Sequence, residues 1–288
     1  MAKLSFHEAY KEAVAHHRQI IQDDLKFAGQ RYSEETATAI QKYYVKIVKG
    51  GRRLRFLEHN YAMRIAPILC QLDLLSQRRS VRILDAGCGL GSELLLFARR
   101  GCQCVGVDLH KNRFPAAKER VAFWKLEDSV EFVAGDVCSL ELGMFDAIFS
   151  MEALTHISPI NSFLQRSAQN LNGGGLILLT DPNPLNLYWQ IYVLKVRGLR
   201  KHYYITDSLA GGKLRYANER LISPNFLKRT LRKYSVHTCE NHFSIFAPPF
   251  LYTWFPSIEK IDFFLRRIPV LRNLGAIYTV IAKKDQIQ

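Results

Sequence analysis

Between residues 81 and 181, short apolar runs alternate with longer amphipathic stretches. VRILD (81–85), CQCVGVD (102–108), VEFVAGD (130–136), FDAIFS (145–150) and GLILLTD (175–181) have the length and composition of buried strands. Between them, 92–100, 111–126 and 160–171 are patterned as helices, the second in spite of Pro115. Apolar strands separated by helices predict a parallel sheet covered on both faces. The chain before residue 81 shows no clear strand, and 5–30, 33–48 and about 54–75 read as helices. Ser33 followed by two glutamates is an N-cap with an acidic first turn, Gly50 and Gly51 end the second helix, and Pro67 predicts a bend in the third.

After Asp181 the alternation loosens. DPNPLNLYWQIYVLKVRGLRKHYY (181–204) opens with two prolines and continues as an apolar, aromatic helix that turns basic. Residues 223–234 read as a basic helix capped by Ser223 with Pro224 at its first position, and 235–246 as a strand. Ile258, Ile261, Phe264, Leu265 and Ile268 share one face of a short helix, and AIYTVIAKK (276–284) is a last strand.

Composition narrows the class. A chain of 288 residues, 48% hydrophobic and 23% charged, is an ordinary globule of one large domain with embellishments or two small ones. No apolar run reaches the roughly 18 residues of a membrane span, and the first residues lack the apolar core of a secretory signal. Six cysteines without CxxC spacing point to packing in a reducing cytoplasm. The net charge of +14 is uneven: +6 over 1–80, −3 over 81–189, +9 over 190–234 and +2 over 235–288. That distribution argues for a local anion-facing or membrane-facing patch and against a uniformly basic nucleic-acid binder.

VRILDAGCGLGSELL (81–95) joins the first strand to a helix through three glycines at alternate positions. A dinucleotide fingerprint fails because Ser92 stands where its third glycine or alanine belongs, and no GK[ST] phosphate loop is present. What remains is an acid at the strand end followed by G-x-G-x-G: Asp85, Gly87, Gly89 and Gly91.

LDAGCGLG resembles the first motif of class I S-adenosylmethionine-dependent methyltransferases. The resemblance extends in order through Asp108 in VGVD, Asp136 in VAGDV, FDAIFSMEALTHI (145–157) and LNGGGLILLTD (171–181). It implies an α/β, Rossmann-like fold: a seven-stranded sheet with an antiparallel last strand, an N-terminal helical cap over 1–78, and a methyltransferase domain over 79–288 with insertions at about 184–222 and 247–274. It also implies S-adenosylmethionine as cofactor. Gly87, Gly89 and Gly91 would let the main chain approach the methionine moiety, with Asp85 favouring its cationic end. Asp108 would accept from both ribose hydroxyls and Asp136 from the adenine amino group, and Leu109, Val137 and Met151 complete the implied cofactor set. The competing reading makes each acid a helix cap or strand end.

The acceptor is less defined. Base amino-methyltransferases carry an Asn/Asp/Ser-Pro-Pro-aromatic tetrad after strand four, where this chain has Ser150-Met151-Glu152-Ala153, and no cysteine nucleophile lies beyond that strand. Nucleic acid is therefore the weaker partner. Glu152 and His156 resemble the Glu-x-x-x-His arrangement of methyltransferases of quinone precursors, sterols and polyketides; they share one face if that turn is helical. His156 is a candidate general base, and a structural pair at the pocket rim is the alternative. Relatives with E-x-x-E-H hold a divalent metal, but Thr155 replaces the second acid, so no metal is carried over. Aromatic residues in both insertions, with Lys195, Arg197, Arg200, Lys201, Lys213 and Arg215, point to an apolar or aromatic acceptor with an anionic part, or to peripheral contact with a membrane. The same aromatics could instead form only the core of a lid. Tyr43, Tyr44 and Tyr61 are candidate lining residues from the cap. The expected reaction is O-methylation of a small lipidic or aromatic acceptor by a cytoplasmic enzyme. Alternatives are C-methylation of a prenyl or sterol-like acceptor, with Glu152 stabilising developing positive charge, RNA methylation through 190–234, and a non-catalytic protein retaining the fold. The sequence does not indicate an oligomeric state.

Overall fold

The computed structural model describes residues 3–27, 30, 32–38, 40, 51–198, 203–207, 212–216, 221–255 and 257–286. Strands β1 (Arg82–Ala86), β2 (Gln103–Asp108), β3 (Val130–Ala134), β4 (Phe145–Met151), β5 (Leu171–Pro182), β8 (Val236–Ser244) and β9 (Ile277–Lys284) form one sheet in the order β3-β2-β1-β4-β5-β9-β8. Neighbours from β3 to β5 are parallel, and β9 is antiparallel to both β5 and β8. The strand order reverses between β1 and β4. In such sheets the crevice beyond the carboxyl ends at this reversal is where ligands bind.

Helices cover both faces. On one, α2 (Gly51–Ser76) and α3 (Ser92–Arg99) bury Ile65, Leu69, Leu72, Leu94 and Phe97 against Ile83, Phe149, Leu178 and Ile281 of the sheet. Helix α1 (Phe6–Phe27) lies over α2 through Ala9 and Ala13, both fully buried. The N-terminal helices and the sheet thus share a core. On the other face, α5 (Ile160–Gln169) and α7 (Pro224–Arg232) pack Phe163, Leu164, Leu227 and Leu231 on Leu84, Ile148, Ile177 and Val280. Helix α4 (Phe114–Phe123) flanks the β2–β3 connection.

Three local differences from the expected elements have simple causes. The 111–126 helix divides into a 3₁₀ turn over Lys111–Arg113 and α4, which accommodates Pro115 in its first turn, where no intrahelical N–H bond is needed. Helix α2 is unbroken at Pro67. The first insertion is not one long basic helix: α6 (Leu187–Arg197) stops at Gly198, φ 62°, and β6 (Tyr203–Asp207) pairs with β7 (Gly212–Tyr216) as a separate two-stranded sheet. Residues 34–38 are helical, whereas 41–48 of the expected second helix lie outside the described residues.

The second insertion folds around one carboxylate. Asp262, on α9 (Ile258–Leu265), is fully buried and accepts from Phe246 N at 2.9 Å, from Tyr252 Oη at 2.6 and 2.7 Å, and from His59 Nε2 at 2.7 Å. Tyr252 belongs to α8 (Pro249–Trp254) and His59 to α2, whose Nδ1 meets Tyr10 Oη of α1 at 2.8 Å. One acid therefore ties both insertion helices to the N-terminal pair, with several polar groups satisfied in a single buried network.

Candidate active site

Beyond β1 the chain takes left-handed conformations at Gly87 (φ 86°), Gly89 (φ 54°) and Gly91 (φ 72°) before entering α3. Gly87 N and Cys88 N both donate to Val107 O, at 2.8 and 3.1 Å, pinning the loop to β2. A Cβ on Gly87 would stand 2.5 Å from Ala153 Cβ, so the loop also lies flush against the turn after β4. This loop is further held from the N-terminal helices. Buried Arg120 donates to Leu90 O, and at 3.2 Å to Ser92 Oγ, while pairing with Asp24 of α1; His16 Nε2 lies 3.2 Å from Ser92 O.

The acids around the loop are unusually placed. Asp85 is 1% exposed and its Oδ2 has no hydrogen-bond partner. Burial, with Glu93 and Asp108 nearby, holds its carboxyl well above the usual carboxylate range. Glu93, in the first turn of α3, is pushed up by burial to about 7. The sequence reading did not single out Glu93; an acid at position 2 of an otherwise apolar helix, SELLLFAR, was the clue. Asp85, a buried acid with no cation among the groups acting on it, favours a ligand that brings positive charge, whereas Glu93 already feels Arg120 and Arg64. Asp108 closes the other side. Its Oδ2 accepts from Gly89 N at 2.9 Å, its Oδ1 accepts from His110 N at 2.8 Å, and Arg113 Nη1 stands 3.5 Å away. Leu109 beside it is 64% exposed, an apolar face beyond β2. After β3, Asp136 is exposed and accepts from Cys138 N at 2.9 Å, while Val137 is buried. Met151, at the end of β4, is half-buried. The predicted cofactor residues therefore assemble along the ends of β1 to β4. An unpartnered buried acid, a loop without room for a Cβ at Gly87 and an exposed apolar residue beside Asp108 fit a cationic adenosyl ligand.

Glu152 and His156 are arranged differently from the expected helical pair. Glu152 has φ 55°, and the hydrogen-bonded turn begins after it, with His156 N and Ile157 N donating to Ala153 O at 2.9 and 3.1 Å. They do not share a helical face. Leu154 N donates to Asp181 Oδ2 at 3.0 Å, so the buried acid ending β5 shapes this turn. Burial, and Glu152 nearby, raise the Asp181 carboxyl well above its usual range. The Glu152 carboxylate bonds Nη1 of Arg64 from α2, and that guanidinium lowers its pKa. The Arg64 side chain is 5% exposed; that of Glu152, at 56%, remains open to a cavity. Arg64 Nε donates to Asn60 Oδ1 at 3.1 Å. Burial pulls His156 down to about 4, opposed by Glu152 and reinforced by Arg113, so its imidazole is neutral near pH 7.

Arg64, Asn60 and Glu152 form the polar end of a cavity of about 480 Å³. Its remaining wall is mostly apolar: Phe56 of α2, Leu187, Trp189 and Ile191 of the first insertion, and Phe246 and Pro249 at the start of the second. The insertions thus line the cavity, as their aromatic content predicted. Arg64 was not among the predicted site residues, although a cation at helical spacing from buried Tyr61 and Ile68 marked it. Tyr61 is instead buried, stacked on His17 with centroids 4.5 Å apart, and does not line the cavity. Tyr43, Tyr44, Arg200 and Lys201 lie outside the described residues, as do the side chains of Arg197, Lys213 and Arg215; Lys195 is exposed on α6. Among the described residues, no group of three His, Cys, Asp or Glu side chains is placed to hold a metal ion.

Comparison with known proteins agrees with this geometry. Residues 84–179 match the family model described as a methyltransferase domain. A ubiquinone biosynthesis O-methyltransferase of Nitrobacter winogradskyi is 27% identical over 169 residues, 58% of this chain and 61% of that one. An erythromycin 3''-O-methyltransferase of Saccharopolyspora erythraea is 32% identical over 109 residues, 36% of each. The chain thus covers less than two thirds of these relatives' length. The structure of magnesium protoporphyrin IX methyltransferase from Synechocystis PCC 6803 with bound SAH superposes with a TM-score of 0.52 at 13% identity, over 86% of this chain and all (100%) of that one. Residues 84–179 thus match a methyltransferase domain, and the chain shares the Rossmann-like fold of that structure, which supports S-adenosylmethionine as its cofactor.

Proposed function

We propose that this protein methylates an oxygen of a small, largely apolar acceptor, using S-adenosylmethionine. The observation that carries the reading is the Arg64–Glu152 ion pair at the polar end of a mostly apolar cavity beyond β4. When bound, the cofactor supplies a methyl group on a sulfonium that is its own leaving group, so positioning is the protein's main contribution. Asp108 accepts from the ribose hydroxyls, Asp136 from the adenine amino group, and Leu109, Val137 and Met151 provide apolar contact. Asp85, with Glu93, balances the cationic end, and Gly87, Gly89 and Gly91 let the main chain lie close.

On the acceptor side, Glu152 is the group that meets the hydroxyl. Held ionised by Arg64, it accepts a hydrogen bond and aims the oxygen, while Trp189, Phe246 and Phe56 exclude water. The single hydroxyl proton passes to the Glu152 carboxylate it already bonds as the oxygen gains its methyl group; His156, neutral near pH 7 but not on the cavity wall, is the second candidate base. Because Arg64 is already paired, the cavity suits a phenol or alcohol attached to an apolar body better than a free anion. Such an acceptor partitions into lipid, which supports reading the protein as a cytoplasmic enzyme with peripheral membrane contact.

Calorimetric titration with S-adenosylmethionine, followed by transfer of labelled methyl groups to a panel of hydrophobic phenols and alcohols in detergent, tests this. Asp108→Ala is expected to weaken cofactor binding at least tenfold with the fold intact, and His156→Ala to slow transfer with cofactor affinity unchanged. Equal cofactor affinity in Asp108→Ala would overturn the ribose assignment, and an unaltered rate across pH in His156→Ala would make that residue structural.

A further inference from the structure

Large apolar side chains are not exposed evenly. Among the described residues, 14 of the 17 that are exposed fall within the two insertions. Single exposed leucines need no explanation, whereas a concentrated apolar patch marks an interaction surface.

The packing of α8 shows that this exposure is built in. Its Tyr252 turns inward and puts a hydroxyl on buried Asp262, while Phe250 and Trp254 turn outward, their rings 5.2 Å apart. Trp254 is 62% exposed, and Phe255 after it is also open. Polar atoms inside and aromatic rings outside reverse the usual arrangement of a helix facing water. Helix α6 also leaves apolar side chains outward. Trp189 packs on the small cluster of Ile245, Tyr252 and Ile277, and Leu187, Ile191 and Leu194 stay exposed.

Two further observations select the partner. First, Leu187, Tyr188 and Ile191 are both exposed and on the cavity wall, and Phe250 follows the cavity residue Pro249. The apolar surface is therefore the rim of the cavity mouth. Second, the two insertions together carry 11 basic and 4 acidic side chains. Of these, Lys195, Lys260, Arg267 and Arg272 are exposed on or beside the apolar elements. Exposed Trp, Phe and Leu with Lys and Arg around them suit the interface of a bilayer with negatively charged headgroups. No helix among the described residues is long and apolar enough to cross a membrane, so the contact is at its surface.

We infer that the insertion face, α6, α8 and the 258–274 segment, docks on an anionic bilayer with the cavity mouth against the lipid, so that the acceptor enters from the membrane. The inference rests on reading the cavity as the acceptor site. The occupant is a lipid surface; a second copy of this chain would set two basic rims against each other.

The test is co-sedimentation of the full chain with phosphatidylcholine vesicles, with and without phosphatidylglycerol, alongside calorimetry with S-adenosylmethionine. More than tenfold stronger retention on the anionic vesicles is expected, weakening as salt is raised. The double variant Trp254→Ser/Phe255→Ser and the triple variant Lys260→Glu/Arg267→Glu/Arg272→Glu are each expected to lose it, with cofactor affinity unchanged. Wild-type protein that stays in the supernatant, variants retained as well as wild type, or a dimer broken by the Trp254 and Phe255 changes would each overturn the inference. Cofactor binding without vesicle binding would sink this docking alone. Vesicle binding without cofactor binding would leave the surface standing and remove the methyl-transfer reading.

Discussion

The cofactor loop and the insertion face solve opposite problems. Around β1, Asp85 Oδ2 is buried without a hydrogen-bond partner, burial pushes Glu93 up to about 7, and Gly87 meets Ala153 with no room for a side chain. On α6 and α8, apolar groups are exposed without protein cover, as at Leu187 and Trp254. Both depart from the rule that polar groups go out and apolar groups go in, and the proposed ligand and the proposed lipid surface would each supply what the chain lacks there. The contrast teaches that the two sides can be broken separately.

The largest expected effect is on the loop. Gly87→Val adds a Cβ 2.5 Å from Ala153 Cβ at a position with φ 86°, where side chains are rarely tolerated. Backbone strain of roughly 3 kcal/mol displaced into the loop corresponds to about a hundredfold loss of cofactor affinity. Calorimetry with S-adenosylmethionine is the readout, and vesicle retention should not change. A variant that binds cofactor normally would mean that the main chain need not lie as close to the ligand as proposed.

A middle-sized effect separates Arg64 from Glu152. Glu152→Ala strands a guanidinium that is 5% exposed, at an expected cost of about 1–3 kcal/mol in stability. Arg64→Met instead leaves a carboxylate that water in the cavity still reaches, so its cost should be smaller. Arg64→Met should raise the Glu152 pKa, because the guanidinium is the main cause of its lowering. The carboxylate is ionised above its pKa, so the pH-rate profile of methyl transfer should move its acid limb to higher pH. Arg64→Lys should restore part of that shift. Equal acid limbs in wild type and Arg64→Met would show that the pair only supports the wall.

What could be read in advance divides along the same line. The strand and loop pattern of 81–181 is local: apolar runs followed by acids, and alternating glycines at the first turn, put Asp85, Asp108 and Asp136 at or just past strand ends, where the structure has them. The acceptor corner is not local. Arg64 lies 88 residues from Glu152, and a lone arginine in RFLEHNYAMRIAPIL shows only as a cation on a buried stripe. Whether 152–156 is helical stays open in the sequence, because the answer turns on Glu152 adopting φ 55° and Asp181 capturing Leu154 N, a contact between the ends of β4 and β5 that no local pattern encodes. The hairpin of β6 and β7 was hidden inside a basic stretch, since helix termination at Gly198 outweighed the continuing apolar-basic texture.

The smallest expected effect returns to the loop and concerns protons. Burial holds Glu93 at about 7, so near neutrality a large fraction of the free protein carries this acid protonated. A cationic ligand favours the ionised form, and binding should therefore release protons. The sign follows: affinity for S-adenosylmethionine is greatest above pH 7 and weakens as the pH falls through it, by at most about tenfold per pH unit for one linked proton. Asp85 is also raised, by burial and by Glu93 beside it, so removing the Glu93 charge should ease its ionisation. Calorimetry in two buffers of different ionisation enthalpy measures the proton count directly. Glu93→Gln should bind somewhat more weakly at pH 8, lose most of the dependence between pH 6 and 8, and release fewer protons. A proton count near zero in the wild type would mean that Glu93 does not feel the ligand's charge, and the acidic wall of the loop would reduce to Asp85 alone.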